Sequence, residues 1–510
     1  MTAPPFRKVL VANRGEIALR VIRACRDLGM GAVAVYSEAD RDALHVRLAD
    51  EAHPIGPAAP RESYLAIEKL IAVATRTGCD AVHPGYGFLS ENAAFAAAVS
   101  AAGLVFVGPP AEVQRLLGEK TRARRLATEA GVAVADGTVD PLRDLGEARA
   151  VALRVGYPVM LMAAAGGGGK GMRIVRGASE LDAAWRMATD EAMGAFGSPA
   201  LFLERLIENA RHVEVQLIAD DHGSIVWLGE RDCSVQRRHQ KLIEESPGPA
   251  VDEALRAKLG DAAVRIARAA GYRNAGTVEF LVDERGQLFF LEVNTRLQVE
   301  HPVTELVTGL DLVALQFRVA AGEPLPFTQA QVTRRGAAIE LRVTAEDARG
   351  GFVPASGRIA LLRLPSGPGV RVDHALFEGM TVPTEYDPLL AKIIVWGRDR
   401  PEALARARRA VRETIVAGLP TSLSFHAHAL AQADFVAGTY DTGFVAAHWP
   451  PASAAELSDT VVTAGALAAV LAKRAASSGQ KVRASDQGVR AGGGTETNHW
   501  SSAARADALR

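Results

Sequence analysis

Two glutamates that could act together lie on a predicted β-hairpin followed by a run of polar and charged residues. Polar and apolar residues alternate over Thr277–Val282, and Gln287–Val293 is again typical of a strand because of its aromatic and branched residues. Turn-forming residues separate the two stretches. A two-residue loop at Arg285-Gly286 would place Glu279 directly opposite Glu292, whereas a three-residue loop would break this pairing. The sequence therefore predicts a hairpin that carries a facing pair of carboxylates.

The chemistry that this pair favours is the binding of a divalent cation. Opposed residues lie ~5 Å apart, where two carboxylates at an effective dielectric of ~20 repel by roughly 3 kcal/mol. Asn294 shares a strand face with Glu292 and adds an amide oxygen. Such a set suits Mg²⁺ or Mn²⁺ carrying the phosphates of a nucleotide. The alternative is a solvated strand face, which Arg296 and Glu300 just beyond the strand disfavour.

A glycine-rich segment, Ala163–Met172, lies between apolar strands predicted at Val159–Met162 and Arg173–Val175. Consecutive glycines let a backbone approach a ligand closely and turn its N–H groups toward an anion. The order strand, loop, strand differs from a Walker loop, and Gly171 after Lys170 excludes GxxxxGK[ST]. We therefore predict a mobile flap over phosphates, with a flexible linker as the alternative.

Basic side chains are concentrated in Glu230–Pro247, which reads ERDCSVQRRHQKLIEESP and has no surface-helix pattern. Charge runs are usually solvated, so a solvated surface and an anion pocket both remain possible. Upstream, Glu204–Ile207 follows a strand and could form a hinge against which an adenine lies. The loop His83–Asn92, HPGYGFLSEN, follows a strand at its carboxyl end, where ligands commonly bind, although a structural turn is the alternative.

The elements that must position these residues begin with alternating strands and helices, which predict a parallel sheet covered by helices. The predicted strands are Lys8–Ala12, Gly31–Tyr36, Ala81–Val82 and Val105–Val107, and the predicted helices are Arg14–Leu28, Ser63–Thr77, Ala111–Ala130 with Lys120, Asp252–Ala270 and Arg400–Gly418. No GxGxxG occurs in the first of these strands and helices, so a dinucleotide site is not predicted there.

Composition indicates a globular protein of three or four domains, since the 510 residues are 48% hydrophobic and 23% charged. A formal net charge of -1 and the lack of a long basic block argue against a nucleic-acid or membrane-surface partner. Three cysteines without CxxC spacing predict neither a disulfide framework nor a cysteine-rich zinc site. With no signal peptide or membrane span evident, we expect a cytoplasmic location.

Six ordered motifs closely resemble the biotin carboxylases, which are ATP-grasp enzymes. They are VANRGEIALRVIRA, HPGYGFLSENA, GGGGKGM, ERDCSVQRRHQK, EVNTRLQVEHPVTE and TGLDLV, and the resemblance covers roughly residues 6–445. It implies an α/β protein with an ATP-grasp fold, an N-terminal parallel α/β (pre-ATP-grasp) domain, a mobile glycine-rich lid and a C-terminal α+β domain. The expected boundaries are 1–115, 116–330 with the lid at about 136–206, 331–447, and a tail at 448–510.

The resemblance also implies a two-step reaction. ATP phosphorylates bicarbonate to carboxyphosphate, whose decomposition supplies the CO₂ that carboxylates N1′ of biotin. The implied cofactors are ATP, Mg²⁺ or Mn²⁺, and biotin, with bicarbonate as a substrate. Every step handles an anion, which accounts for the many basic residues of the motifs.

Roles for individual residues follow from the same resemblance. Glu279, Glu292 and Asn294 would hold the metals, as the hairpin also suggests. Lys241, Arg296 and the backbone of Val299 would hold bicarbonate, Glu300 would be the general base, and Arg342 would stabilise the biotin enolate. The residues expected to line the nucleotide are Lys120, Met162, Gly168, Gly169, Glu204, Arg205, Leu206, Ile207, His212, Gln236 and His239.

One departure from the family pattern affects the nucleotide site. Met162 stands where the pattern GYPV-x-x-K has a lysine that contacts the nucleotide. A thioether cannot replace an ammonium that faces an α-phosphate, and the loss of one charge-assisted contact costs roughly 1.5–3 kcal/mol. We therefore expect reduced ATP affinity. Ala337 and Thr344 also depart from the His and Asn that are usual there, and nothing in the sequence gives these changes a consequence.

Partners are expected because no methionine follows Met380, whereas the biotinylated lysine of carrier domains in this family usually lies between methionines. Biotin would then arrive on a separate carrier protein, the carboxyltransferase would be another subunit of an acyl-CoA carboxylase, and the resemblance implies a homodimer. The tail combines an Ala-rich helix with a segment too polar to fold alone. Two alternatives are another ATP-grasp carboxylate ligase and a catalytically impaired carrier-binding scaffold.

Overall fold

A computed structural model of the chain describes residues 3–164 and 172–451. Gly168, Gly169 and the predicted tail therefore lie outside the described residues. Within the described ranges no helix is both long and apolar enough to cross a membrane.

The N-terminal part is built on a five-stranded parallel sheet with the strand order β3-β2-β1-β4-β5, as predicted from the alternation of strands and helices. A short 3₁₀ helix at Pro60–Glu62 precedes the third helix, which begins at Ile67 rather than at Ser63. The elements are β1 (Lys8–Val11), α1 (Gly15–Asp27), β2 (Gly31–Ser37), α2 (Leu44–Leu48), β3 (Glu51–Gly56), α3 (Ile67–Arg76), β4 (Ala81–His83), α4 (Ala93–Ala101) and β5 (Val105–Phe106).

The helix predicted over Ala111–Ala130 is in fact two helices, α5 (Ala111–Gly118) and α6 (Lys120–Glu129). Glu119 between them is extended, with φ -91° and ψ 111°, and so interrupts the helical backbone. The break makes Lys120 the first residue of a helix, close to the hairpin, rather than one residue on a continuous helical face.

Residues 136–206 contain a small unit with its own apolar core, in which a three-stranded antiparallel sheet of order β7-β6-β8 packs on two helices. Its elements are α7 (Leu145–Val155), β6 (Val159–Ala163), β7 (Arg173–Val175), α8 (Leu181–Phe196) and β8 (Leu201–Arg205). Val159 and Leu161 face this core, so by strand alternation Met160 and Met162 face the other way. That this unit moves as a lid remains a prediction.

An eight-stranded antiparallel sheet forms the centre of the described chain, with the order β13-β12-β9-β10-β11-β14-β21-β19. Strands from the predicted ATP-grasp and C-terminal domains share this one sheet. The elements up to its sixth strand are β9 (Arg211–Ala219), β10 (Ile225–Arg237), β11 (Gln240–Ser246), α9 (Glu253–Ala269), β12 (Asn274–Val282), β13 (Leu288–Asn294), α10 (His301–Thr308), α11 (Leu312–Ala320) and β14 (Ala337–Thr344).

The two-residue loop predicted at Arg285-Gly286 is wrong, although the predicted pairing of Glu279 with Glu292 is present. Val282 pairs with Leu288, and the N–H of Asp283 donates to the carbonyl of Gln287 at 3.0 Å, so the loop has three residues. Gly286 has φ +74°, as such a loop requires. A register shift between Glu279 and Phe280 restores the facing of Glu279 and Glu292, because a bulge adds one residue to β13.

The remaining elements complete the central sheet and cover its C-terminal part. The helix predicted over Arg400–Gly418 ends at Glu413, where the chain turns into a short strand. The elements are β15 (Glu346–Asp347), β16 (Val353–Pro354), β17 (Gly357–Arg358), β18 (Leu361–Arg363), β19 (Val370–His374), β20 (Thr381–Val382), β21 (Leu389–Gly397), α12 (Arg400–Glu413), β22 (Ile415–Ala417), α13 (Leu423–Ala429), α14 (Ala433–Ala437) and α15 (Phe444–His448).

Candidate functional site

A row of charged residues crosses four neighbouring strands of the central sheet. Arg231 on β10 is paired with Glu214 on β9, Glu214 with Glu279 on β12, and Glu279 with Glu292 on β13. Because directly opposed residues of a sheet share a face, these four side chains lie on one side of it. The hairpin acids are thus part of a larger array of charges.

Lys241 on β11 neutralises much of this array. Its Nζ donates to Glu214 Oε2 at 2.5 Å, to Glu279 Oε1 at 2.8 Å and to Glu300 Oε1 at 2.7 Å. Burial alone would lower the pKa of Lys241, but the three carboxylates raise it well above its usual value. Lys241 therefore stays protonated, with all three N–H groups donated to acids.

Glu300 lies at the end of the loop that follows β13, directly before α10, and is fully buried. Its Oε1 accepts from Lys241, and its Oε2 accepts from Arg342 Nη2 at 2.8 Å. Burial would raise the pKa of Glu300, but Lys241, Arg342 and then Arg231 hold it well below its usual range. At neutral pH Glu300 is therefore a carboxylate held between two cations.

Arg342 on β14 bridges Glu300 and a second buried acid. Its Nε donates to Glu244 Oε1 at 2.5 Å. Burial raises the pKa of Glu244 to about 7, against the opposing effect of Arg342, and the charge of Glu300 adds to the rise. Arg342 is therefore fixed on one side by Glu244 while its other side faces Glu300.

Arg296 is held by groups other than Glu300. Its Nε donates to Glu91 Oε2 at 2.8 Å, its Nη1 to Gln298 Oε1 at 2.8 Å, and its Nη2 to Asn294 Oδ1 at 3.0 Å. Glu91 belongs to the loop His83–Asn92, so this glycine-bearing loop contributes directly to the site. Arg342 is the arginine that donates to Glu300.

The three predicted metal ligands lie together, but they differ in how fully they are engaged. Glu279 Oε1 accepts from Lys241, from Asn294 Nδ2 at 2.7 Å and from Gln298 Nε2 at 3.1 Å, and its Oε2 lies 2.8 Å from His212 Nε2. Burial alone would raise the pKa of Glu279, but Lys241 and His212 outweigh this effect and lower the pKa. Glu279 is the most fully satisfied of the three.

The pKa of Glu292 is raised, whereas that of Glu279 is lowered. Burial and the facing Glu279 raise its pKa, and Lys120 and Lys241 offset only part of this rise. A divalent cation between the two carboxylates would remove the repulsion and restore the charged form of Glu292. The donor set of this hairpin therefore fits Mg²⁺ or Mn²⁺.

The residues predicted to line the nucleotide are spread over several elements around the hairpin. Lys120 lies near enough to Glu292 and His239 for its charge to lower the pKa of His239 and to oppose the rise in the pKa of Glu292. His239 forms the turn between β10 and β11 with Arg238, where both residues have positive φ, at +66° and +49°. Gln236 is paired with Lys241 across this hairpin. The basic segment is therefore a hairpin that carries part of the site.

Met162 is only 9% exposed and lies on the side of β6 that faces away from the small unit's core. It is paired with Phe202, and Met160 is paired with Glu204, so these four side chains share a face. Glu204 forms an ion pair with Arg124 of α6. Arg205, Leu206 and Ile207 continue from β8, and the N–H of Leu206 donates to the carbonyl of Pro158 at 3.0 Å.

Sequence reasoning did not assign a role to several charged residues that the site includes. Arg231 was noted only as part of a basic segment, and Glu91 only as part of a loop. The alternation of polar residues along His212-Val-Glu214-Val-Gln216, in a strand where the other residues are apolar, was a usable signal for Glu214. The unassigned charged residues that bond directly to predicted ones include Glu91, Arg124, Glu214, Glu244 and Lys392. Arg231 joins the site through Glu214.

Three family models match the chain in sequence order. Residues 5–114 match "Biotin carboxylase, N-terminal domain", residues 119–328 match "Carbamoyl-phosphate synthase L chain, ATP binding domain", and residues 340–447 match "Biotin carboxylase C-terminal domain". Together these matches span most of the described residues.

Known proteins with similar chains include Biotin carboxylase 1 of Bacillus subtilis, which is 49% identical over 441 residues, covering 86% of this chain and 98% of that protein. A subunit of pyruvate carboxylase from Methanothermobacter thermautotrophicus is 48% identical over 440 residues, covering 86% and 89%. The biotin carboxylase domain dimer of Hydrogenobacter thermophilus 2-oxoglutarate carboxylase, solved with MgADP, ADP and bicarbonate, superposes with a TM-score of 0.84 at 44% identity, covering 87% and 98%.

Proposed function

The chain belongs to the biotin carboxylase family of ATP-dependent ligases and carries out ATP-dependent biotin carboxylation, and on that premise we propose a role for each group of the site. The predicted fold class is likewise confirmed: an ATP-grasp fold with an N-terminal parallel α/β domain, an ATP-binding domain and a C-terminal domain. The observation that carries the proposal is the Glu300 carboxylate, held between Lys241 at 2.7 Å and Arg342 at 2.8 Å.

Bicarbonate is proposed to bind at Lys241, Arg296 and the backbone N–H of Val299. Both side chains are cationic, and the three-residue run Gln298-Val299-Glu300 brings the Val299 backbone next to the Glu300 carboxylate. The solved relative from Hydrogenobacter thermophilus contains a bicarbonate anion, which supports an anion site in this fold. Lys241 would give up part of its contact with Glu300 in order to reach the anion.

That exchange explains how a strongly stabilised carboxylate can act as a base. In the free site Lys241 and Arg342 hold the pKa of Glu300 well below its usual range. When Lys241 turns to bicarbonate, Glu300 loses one of its two charge partners and its proton affinity rises. Glu300 then takes the proton of bicarbonate, whose oxygen attacks the γ-phosphorus of ATP as the bond to the β-phosphate oxygen breaks, giving carboxyphosphate and ADP.

Arg342 is proposed to stabilise the negative charge of the biotin enolate after N1′ loses its proton. Glu244 holds one side of the guanidinium at 2.5 Å, so the group is already oriented before biotin arrives. The phosphate formed with CO₂ when carboxyphosphate breaks down would take the N1′ proton, and N1′ would then form its bond to that CO₂. Glu300 moves toward neutrality as it accepts a proton, which frees Arg342 for the new anion.

Glu279, Glu292 and Asn294 would hold Mg²⁺ or Mn²⁺, which neutralises charge on the nucleotide phosphates. Lys120, His212, Gln236, His239 and the run Glu204–Ile207 are proposed to line the nucleotide together with Met162. Gly168 and Gly169 are proposed to cover the phosphates, as the sequence pattern suggests.

Replacing Met162 with lysine is expected to tighten ATP binding. The residue is buried, faces away from the core of its own unit and replaces the lysine of the family pattern, so the new ammonium would restore a charge-assisted contact. We expect the dissociation constant of ATP to fall by about 10- to 150-fold in titration calorimetry. Met187→Lys on α8, where the side chain is 56% exposed, is the matched control for added charge. Equal affinity of Met162→Lys and wild type would refute the role of this position.

We also propose that biotin is presented on a separate carrier protein, since the chain matches 98% of the length of a relative named as a biotin carboxylase. The carboxyltransferase is proposed to be a further, separate subunit, and the protein to be a homodimer. The dimer of the solved relative supports the last point. Sedimentation of the purified full chain tests it, since a monomer at micromolar concentration would contradict a stable dimer.

The function itself is tested by measuring ADP release in the presence of bicarbonate, with and without added biotin. Biotin is expected to stimulate ADP release, and biotinylated carrier protein to stimulate it at lower concentration than free biotin. Stimulation by another carboxylic acid with no response to biotin would select a different ligase. No ADP release under any of these conditions would select a non-catalytic carrier-binding role.

The final acceptor is proposed to be an acyl-CoA, so that the chain performs the first half-reaction of an acyl-CoA carboxylase in fatty acid metabolism. Relatives at similar identity include both a biotin carboxylase and a subunit of pyruvate carboxylase. The complex purified with its native transferase should fix labelled bicarbonate onto acetyl-CoA or propionyl-CoA. Fixation onto pyruvate or 2-oxoglutarate, with no labelled acyl-CoA product, would contradict this assignment.

A further inference from the structure

We propose that Lys392 is a positioning residue for the bicarbonate site, because it fixes the peptide bond that joins Val299 to Glu300. Lys392 Nζ donates to the carbonyl oxygen of Val299 at 2.9 Å. The inference rests on the proposed roles of Val299 and Glu300. It adds a residue from β21, 92 positions beyond Glu300 in the sequence, to the groups that set the geometry of the reaction.

The surroundings of Lys392 favour a specific task over general packing. The side chain has no exposed surface, and its Nζ lies 3.1 Å from Glu16 Oε1 and 3.9 Å from Asp373 Oδ2. A fully buried ammonium is costly unless its N–H groups are satisfied. The Val299 carbonyl is therefore one of very few groups that hold this charge in place.

Lys392 also lies directly opposite Arg342, where β21 pairs with β14. Two cations side by side in a sheet repel, so the arrangement needs compensation on both sides. Arg342 reaches the Glu300 carboxylate, and Lys392 reaches the carbonyl of the residue before it. Two opposed cations thus hold two consecutive residues of the loop between β13 and α10.

The bond acts on both residues because the Val299 carbonyl belongs to the same peptide unit as the Glu300 N–H. Holding this plane restricts the backbone rotations on either side of it, ψ of Val299 and φ of Glu300. The first rotation sets the direction of the Val299 N–H relative to the next peptide, and the second sets the direction of the Glu300 side chain. Lys392 therefore aligns a proposed donor to bicarbonate with the proposed base.

Glu340 does not compete strongly for Lys392. It is fully buried two residues before Arg342, and both of its carboxylate oxygens lack a hydrogen-bond partner among the described residues. Burial raises the pKa of Glu340 well above its usual value, which favours the uncharged form of this group. Glu16 is thus the closest acid to Lys392, and it is also held by the hydroxyl of Tyr86.

The experiment compares two variants that differ only at Lys392. Glu16→Gln removes the acid but leaves the ammonium bonded to Val299, whereas the double variant Glu16→Gln/Lys392→Met removes both charges and that bond. Because the double variant buries no unpaired charge, it avoids the folding defect expected of Lys392→Met alone. Thermal unfolding of both variants establishes that they are folded at the assay temperature.

For Glu16→Gln we expect kcat/KM for bicarbonate within about 3-fold of wild type. For the double variant we expect it to fall about 10- to 100-fold below Glu16→Gln, while KM for ATP changes less than 2-fold. An equal loss in both variants, or KM values for ATP and bicarbonate that rise together, would show a purely structural role and overturn the inference. So would a double variant as active as Glu16→Gln.

Glu300→Gln, measured in the same assay, separates this inference from the proposed function. If Glu300→Gln retains full bicarbonate-dependent turnover, the proposed function of the loop fails and the inference fails with it. If Glu300→Gln is inactive and the double variant is not impaired, only the role of Lys392 is overturned.

Discussion

Replacing Glu300 with glutamine is expected to lower bicarbonate-dependent ADP release by about 10²- to 10⁴-fold. Glutamine keeps the shape of the side chain, and its one carbonyl oxygen can accept from Lys241 or from Arg342, which now bond separate oxygens of Glu300. Its amide cannot take a proton from bicarbonate. The loss should therefore fall on kcat, with KM for ATP little changed, because Glu300 contacts none of the residues proposed to bind the adenine. Steady-state kinetics at saturating ATP and varied bicarbonate provide the measurement.

A suitable control is Glu245→Gln on the same strand as Glu244. Glu245 is also fully buried and hydrogen-bonded to a cation, since Arg400 Nε donates to its Oε2 at 2.6 Å, but it is held by Arg400 and Tyr440 rather than by the site. This variant tests the cost of neutralising a buried glutamate as such. A Glu300→Gln enzyme no slower than the Glu245→Gln enzyme would contradict the assignment of Glu300 as the base.

Replacing Lys241 with methionine is expected to shift the pH dependence of the reaction as well as to slow it. Lys241 is the largest favourable influence on the pKa of Glu300, which is held well below its usual range. The base is therefore ionised at neutral pH in the wild type. Without Lys241 the pKa of Glu300 rises, so the acid limb of kcat/KM for bicarbonate should move to higher pH.

The same substitution also affects binding and stability. Bicarbonate loses one of its proposed cations, so its KM should rise by about 10- to 100-fold. Glu214, Glu279 and Glu300 would be left with one cation fewer, which should lower the free energy of unfolding by about 3–5 kcal/mol near neutral pH. Urea titration at several pH values measures this cost. An unchanged acid limb with an unchanged KM for bicarbonate would contradict the proposed role of Lys241.

The sequence predicted the pairing of Glu279 with Glu292, but for a reason that was only partly right. Alternation in the first strand and the aromatic and branched residues of the second correctly placed both strands, whereas the loop length was wrong and a bulge in β13 compensated for it. Loop length depends on turn geometry and bulges depend on local packing, and neither is visible in alternation alone. The pairing of Glu279 with Glu292 was therefore predictable from the sequence, whereas the three-residue loop and the bulge that produce it were not.

The partners of Glu300 were harder to predict, because they depend on which distant strands become neighbours. Arg342 reaches Glu300 because β14 joins the same sheet as β12 and β13. Lys392 reaches the neighbouring Val299 carbonyl because β21 pairs with β14. Arg296 is close to Glu300 in the chain, yet its side chain bonds to Glu91. Lys392 lies in an otherwise apolar strand, and a single lysine in such a strand does not indicate which group it will bond to.

The central claim is that bicarbonate attacks ATP at the cluster of Lys241, Glu300 and Arg342. It is tested most directly by supplying ¹⁸O-labelled bicarbonate and analysing the phosphate released before the label exchanges with water. Carboxyphosphate keeps one bicarbonate oxygen on phosphorus, so wild-type enzyme should release phosphate with one ¹⁸O per turnover, and Glu300→Gln should release almost none above background. Phosphate released by the wild type at full rate but without ¹⁸O would show that water, not bicarbonate, attacks ATP and would contradict the account.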